Sequence, residues 1–134
     1  MNDNLSKHFS RYEFRCSCHC GGDTVDWELL EELEDIRGYF ERLYGTVKIG
    51  INSGYRCKKH NSAIGGSVAS LHTMGKAVDF VVYRKIGTNW WSPVDADTVA
   101  DYLESNYQDC YGIGRYDGRT HFDVRSGRAA RWDG

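Results

Sequence analysis

The sequence predicts an α+β domain: a small, mainly antiparallel sheet with flanking helices. Three observations carry this. One long segment has apolar residues at helical spacing, several short segments alternate with period two, and a shorter helical stretch separates the last two of those from the rest. With 134 residues, 40% hydrophobic and 27% charged, the chain holds one domain, residues 1–134, with a single core. No repeat, low-complexity tract or Pro/Ser-rich linker divides it.

The first helix is expected from Asp26 to about Leu43, because Leu29, Leu30, Leu33, Ile36, Phe40 and Leu43 recur on one face. Acidic residues crowd its early turns and Gly45 follows its end. Thr46–Asn52 alternates like a strand and runs into the turn "SGYR". A short helical segment is expected over Lys58–Ala63, ended by Gly65-Gly66. The segment "AVDFVV" reads as a strand buried on both faces. Ser92-Pro93 with Asp95 resembles an N-cap, an N1 proline and a capping box for a second helix reaching about Asn106. Two strands, about Cys110–Gly114 and Thr120–Val124, close the chain around the turn "RYDGR".

Charge and leader signals narrow the partners. A net charge of -2 and a pI near 6.2 give no global reason to expect nucleic acid or a membrane surface, and neither is expected as a partner. The opening residues contain no apolar h-region, and no run is long enough to span a bilayer, so cytoplasmic synthesis without an export signal is expected. Five cysteines without a signal peptide favour a reducing compartment, and an odd count leaves at least one thiol free in a monomer. The run "CSCHC" invites a zinc reading, but structural zinc sites usually separate their first cysteine pair by two to four residues, and here the separation is one. The cluster is therefore read as a tight loop with partly buried thiols. A disulfide from that loop to Cys57 stays open.

The chemistry concentrates in "SLHTMGKAVDF" and "THFDVR". In the first, Ala77, Asp79 and Val81 share one strand face while Val78, Phe80 and Val82 share the other, so an ionised Asp79 among apolar neighbours needs a partner. In the second, His121 and Asp123 share one face. If the two strands are neighbours, His72, Asp79 and His121 converge: two imidazoles and a carboxylate, the donor set of an open catalytic zinc shell. For His72 and Asp79 taken alone, a structural hydrogen bond or salt bridge is as good an account. His8, His19 and His60 are read as surface or satisfied histidines, and Trp90, Trp91, Tyr83 and Tyr116 as core or rim more than substrate contacts.

Residues 70–79 resemble the pattern S-x-H-x-x-G-x-A-x-D of the zinc D-alanyl-D-alanine carboxypeptidase family of peptidoglycan peptidases. That family includes phage endolysins and shares its fold with hedgehog domains. The resemblance extends over "FRCSCHCGG", "INSGYRCKKHN", "IGGSVAS" and "GIGRYDGRTHFDVR", most of the chain. It implies zinc ligands at His72, Asp79 and His121, with Arg56 and Ser70 beside the substrate. The implied activity is hydrolysis of a peptide bond in peptidoglycan, as endopeptidase or D,D-carboxypeptidase, by a zinc-activated water. For a phage lysin, the implied place of action is the periplasm or cell wall, after holin release or from the virion. A monomer is expected.

Arg56 suits an oxyanion or a substrate carboxylate, with a structural ion pair as the other reading. The family often carries an acid three residues before the last histidine ligand, but here that residue is Gly118. Asp117 is therefore expected as general base, and Asp123 as the support of an imidazole or a second candidate base. The displaced acid keeps another function class open, a non-catalytic zinc-binding module that recognises cell wall or a protein partner.

Overall fold

The computed structural model describes residues 3–134. Asp26 caps helix α1 (Trp27–Tyr44), its carboxylate accepting from the Glu28 N–H at 2.9 Å, and Gly45 ends the helix at φ 85°. Leu29, Leu30, Leu33, Ile36 and Phe40 form its buried stripe. Strand β1 (Val47–Ser53) leads to the short helix α2 (Lys58–Ala63), and a 3-10 turn over Leu71–Met74 precedes the long strand β2 (Ala77–Ile86). Strand β3 (Trp90–Pro93), helix α3 (Ala96–Asn106), β4 (Gly112–Tyr116), β5 (Arg119–Asp123) and β6 (Ala130–Asp133) complete the order.

The sheet runs β1-β2-β5-β4-β6, with β3 paired to the far end of β2. Every pairing is antiparallel except β4 with β6. Alternation sorts β2 between two environments. Val78, Phe80 and Val82 join Phe122, Ile113 and the stripes of α1 and α3 in one core, whereas Ala77, Asp79 and Val81 face away from it. Both faces are nevertheless buried from Ala77 to Val82, as the unbroken small and apolar run predicts.

Two expectations are corrected. Ser92 and Pro93 do not start α3; they end β3, where Pro93 lies opposite Tyr83 and the next residue, Val94, donates its N–H to the Val82 carbonyl at 2.8 Å. Asp95 is the N-cap instead, its carboxylate accepting from the Thr98 N–H at 3.3 Å. The closing pair is also not the end of the sheet, since β6 adds a parallel edge. No helix among the described residues is long and apolar enough to cross a membrane.

Candidate metal centre

Antiparallel register places Asp79 opposite His121 across β2 and β5. His72 arrives from the 3-10 turn, where the Ser70 hydroxyl accepts from the His72 N–H at 3.3 Å. That turn ends at Gly75, at φ 70°, where a Cβ would stand 2.6 Å from the Thr24 carbonyl oxygen. One nitrogen of each histidine and an oxygen of Asp79 lie within 4.8 Å of one another, and all three residues are buried. His72 Nε2 is 3.6 Å from Asp79 Oδ2, and His121 Nδ1 is 3.0 Å from Asp79 Oδ1.

The outer partners decide what these atoms can hold. His72 Nδ1–H donates to the Gly54 carbonyl at 2.8 Å; a carbonyl only accepts, so the proton sits on Nδ1 and Nε2 presents a lone pair toward Asp79. His121 Nε2–H donates to Asp123 Oδ2 at 2.7 Å, and Arg125 grips that carboxylate through Nε at 2.8 Å and Nη2 at 2.7 Å. His121 thus has a carboxylate at each nitrogen. Burial works against its cation, but the bonds to Asp123 and Asp79 outweigh burial and raise its pKa. Burial likewise pushes Asp79 up, yet bonds and charge from His121 and His72 hold it well below the usual carboxylate range. Asp123 behaves alike: burial is outweighed by Arg125 and His121. A metal cation fits this donor set because it can replace the Nδ1 proton of His121 and meet the lone pair of His72, with each outer nitrogen already fixed by an acceptor.

The site opens into a cavity of about 550 Å³ lined by Arg56, Ser70, Tyr116, Arg119, Arg125 and Trp132 beside the histidines, Asp79 and Asp123. Arg56 spans it: Nη2 donates to Asp79 Oδ2 at 3.4 Å, Nε to the Ser53 hydroxyl at 3.2 Å and Nη1 to Asn61 Oδ1 at 3.3 Å. The structure therefore brings together His72, Asp79, His121, Asp123, Arg56 and Ser70. It does not bring Asp117. That residue lines a neighbouring groove with Pro93, Asp95 and Asp97 and is not among the residues that line the cavity. Strand alternation supplies the reason. Arg119, His121 and Asp123 share the cavity face, and the tight Asp117-Gly118 turn, with Gly118 at φ 77°, leaves Asp117 toward α3.

Sequence reading missed Arg125 and Trp132. Arg125 follows Asp123 by two residues, a usable signal. Trp132 had none, because its place depends on β6 pairing with β4. Opposite Gly114, its ring lies 4.9 Å from the His121 ring, centroid to centroid. A Cβ on Gly114 would meet Trp132 Nε1 at 2.5 Å.

A sheet that presents one imidazole and a carboxylate, joined by a second imidazole from the preceding 3-10 turn in an open cavity, has the form of a metallopeptidase. The chain belongs to the peptidase M15 family, whose model matches residues 7–123. No curated protein matches it significantly.

Proposed function

We propose that the protein is a zinc peptidase that hydrolyses peptide bonds in the stem peptides or cross-links of bacterial peptidoglycan. The observation that supports this most directly is the convergence of His72, Asp79 and His121 at the base of a cavity whose rim carries Arg56, Arg119 and Arg125. When bound, zinc polarises the scissile carbonyl and supplies an activated water.

The chain's own residues do the rest. Gly54 and Asp123 fix the two imidazoles, so that Nε2 of His72 and Nδ1 of His121 are the donor atoms. Arg56, held on three sides, binds the oxyanion or a substrate carboxylate with its planar fork. Arg119 and Arg125 attract the free carboxylates that stem peptides carry, and Ser70 offers a hydroxyl at the entrance. Trp132 walls the cavity beside His121 and excludes water on that side. Asp123 is the positioning group for His121, and its two bonds to the Arg125 guanidinium leave it poorly suited to take a proton from water. A lysin that reaches the wall after holin release or from a virion fits this substrate.

One observation favours a second reading, a zinc-binding module that recognises wall or a protein without cutting. Asp79 and Asp123 are the only carboxylates lining the cavity among the described residues, and both are engaged. Incubation of purified peptidoglycan with zinc-loaded protein separates the two. New peptide termini, identified by mass spectrometry and lost in His72→Ala, support the peptidase and name the bond. Intact peptidoglycan with zinc bound supports the module.

A further inference from the structure

We propose that Cys16, Cys18, Cys20 and Cys57 form a second, structural zinc site, closed by four thiolates. It is separate from the His72–Asp79–His121 centre and does not rest on any reading of that centre. One sulfur from each of the four residues lies within 4.8 Å of all the others. Cys16 Sγ is 3.4 Å from Cys18 Sγ, which is 3.6 Å from Cys57 Sγ. These separations are far above the about 2.0 Å of a disulfide bond. They approach the edge of a tetrahedron with Zn–S bonds of about 2.3 Å, which is about 3.8 Å.

The loop is built for this despite its unusual spacing. His19 takes φ 63°, in the left-handed region, and turns the chain back on itself. The His19 N–H donates to the Cys16 carbonyl at 3.2 Å, and the Cys16 N–H donates to the Gly22 carbonyl at 2.8 Å. Three thiols one residue apart are thereby wrapped around a common point. The fourth comes from the N-cap of α2, in a part of the chain that shows no zinc pattern of its own.

Backbone donors already serve the sulfurs. The Cys57 N–H points to Cys16 Sγ at 3.4 Å, the His60 N–H to Cys57 Sγ at 3.3 Å and the Gly22 N–H to Cys20 Sγ at 3.4 Å. Amide donors of this kind stabilise thiolate charge, which a metal held by four sulfurs leaves in excess. Four soft donors in a closed tetrahedron select zinc over the oxygen-loving divalent ions. The site ties the 16–20 loop to the residue next to Arg56, whose guanidinium reaches Asp79. It therefore fixes the wall of the cavity from behind.

The test uses the full chain carrying His72→Ala and His121→Ala, which disables the first centre. Purified with zinc and freed of loose metal, it is expected to retain one zinc per chain by elemental analysis, and Cys18→Ser with Cys20→Ser to remove it. Its cobalt form is expected to show strong thiolate-to-metal charge transfer. Because the serine changes could unfold the loop, the wild-type thiols are also titrated under native conditions. Only Cys110 should react until a strong chelator frees the other four. Absence of zinc from the protein carrying only His72→Ala and His121→Ala, five freely reacting thiols without chelator, an intact mass lower by two hydrogens, or iron in place of zinc would each overturn the proposal.

Discussion

Replacing Asp123 by Asn removes one charge and almost no volume, yet the surrounding donors leave no satisfactory placement for the amide. Its oxygen can face His121 Nε2–H, at the present 2.7 Å, only if its NH2 faces the guanidinium of Arg125, donor against donor. Turned the other way, the NH2 donates to Nε2 and moves the ring proton to Nδ1, where Asp79 Oδ1 at 3.0 Å accepts it. The second arrangement puts a proton where a metal would bind, and the first keeps Nδ1 free only by opposing the amide NH2 to Arg125 Nε–H. Loss of such an orienting carboxylate typically weakens metal binding about 10- to 100-fold, about 1.4 to 2.7 kcal/mol. Competition with a chromophoric chelator at neutral pH measures this, with turnover followed at saturating zinc. Affinity within about twofold of wild type would refute the tautomer argument.

Asp117→Asn should leave zinc affinity and turnover within about twofold, because its carboxylate lies outside the cavity; a fall of about 100-fold or more would restore it as the general base. Zinc uptake should release a proton from His121, whose pKa is raised without metal, so affinity falls as pH drops through that value; calorimetry in buffers of different ionisation enthalpy detects the proton. Glu34 holds the N-terminal segment through Ser6 and His8, and although burial raises its pKa, those bonds lower it overall. Its folded pKa is depressed, so its contribution is present above the ordinary value of 4.5 and is lost as pH falls below it; Glu34→Gln should flatten that part of the acid unfolding curve. Gly75→Ala places a Cβ 2.6 Å from the Thr24 carbonyl at a left-handed φ and should cost at least ~1 kcal/mol, read as a lower Tm.

Periodicity made the helices and the central strands legible. Helix α1 was readable to within a residue because its stripe, cap and closing glycine agree, and α2 because glycines bound it. The two-faced burial of β2 was legible in the unbroken run from Ala77. Strand β3 was hidden because Ser92-Pro93-x-Asp95 satisfies a capping pattern, and only pairing with β2 overrides it. In the site, alternation placed Asp79 and His121 on the correct faces, but the sequence could not fix the register that sets them opposite each other. For Asp117, closeness to His121 along the chain says nothing about direction at a two-residue turn, and the carboxylate lines the neighbouring groove. The sequence left Cys57 as an open disulfide partner of the cysteine loop, and tertiary structure brings it beside Cys18 with both thiols free.

The sheet divides labour between its centre and its edge in a way that bears on how such a chain can diverge. His72, Asp79, His121 and Asp123 all lie within residues 7–123 of the family match, and the last three sit on paired inner strands. Trp132 lies beyond that match, on an outer strand bound along one side to β4. Changes there reshape what the cavity admits without disturbing the register that sets the imidazoles and the carboxylate. The cavity wall can thus change through a short outer strand, while the candidate metal centre stays under the stronger constraint of the interior pairings.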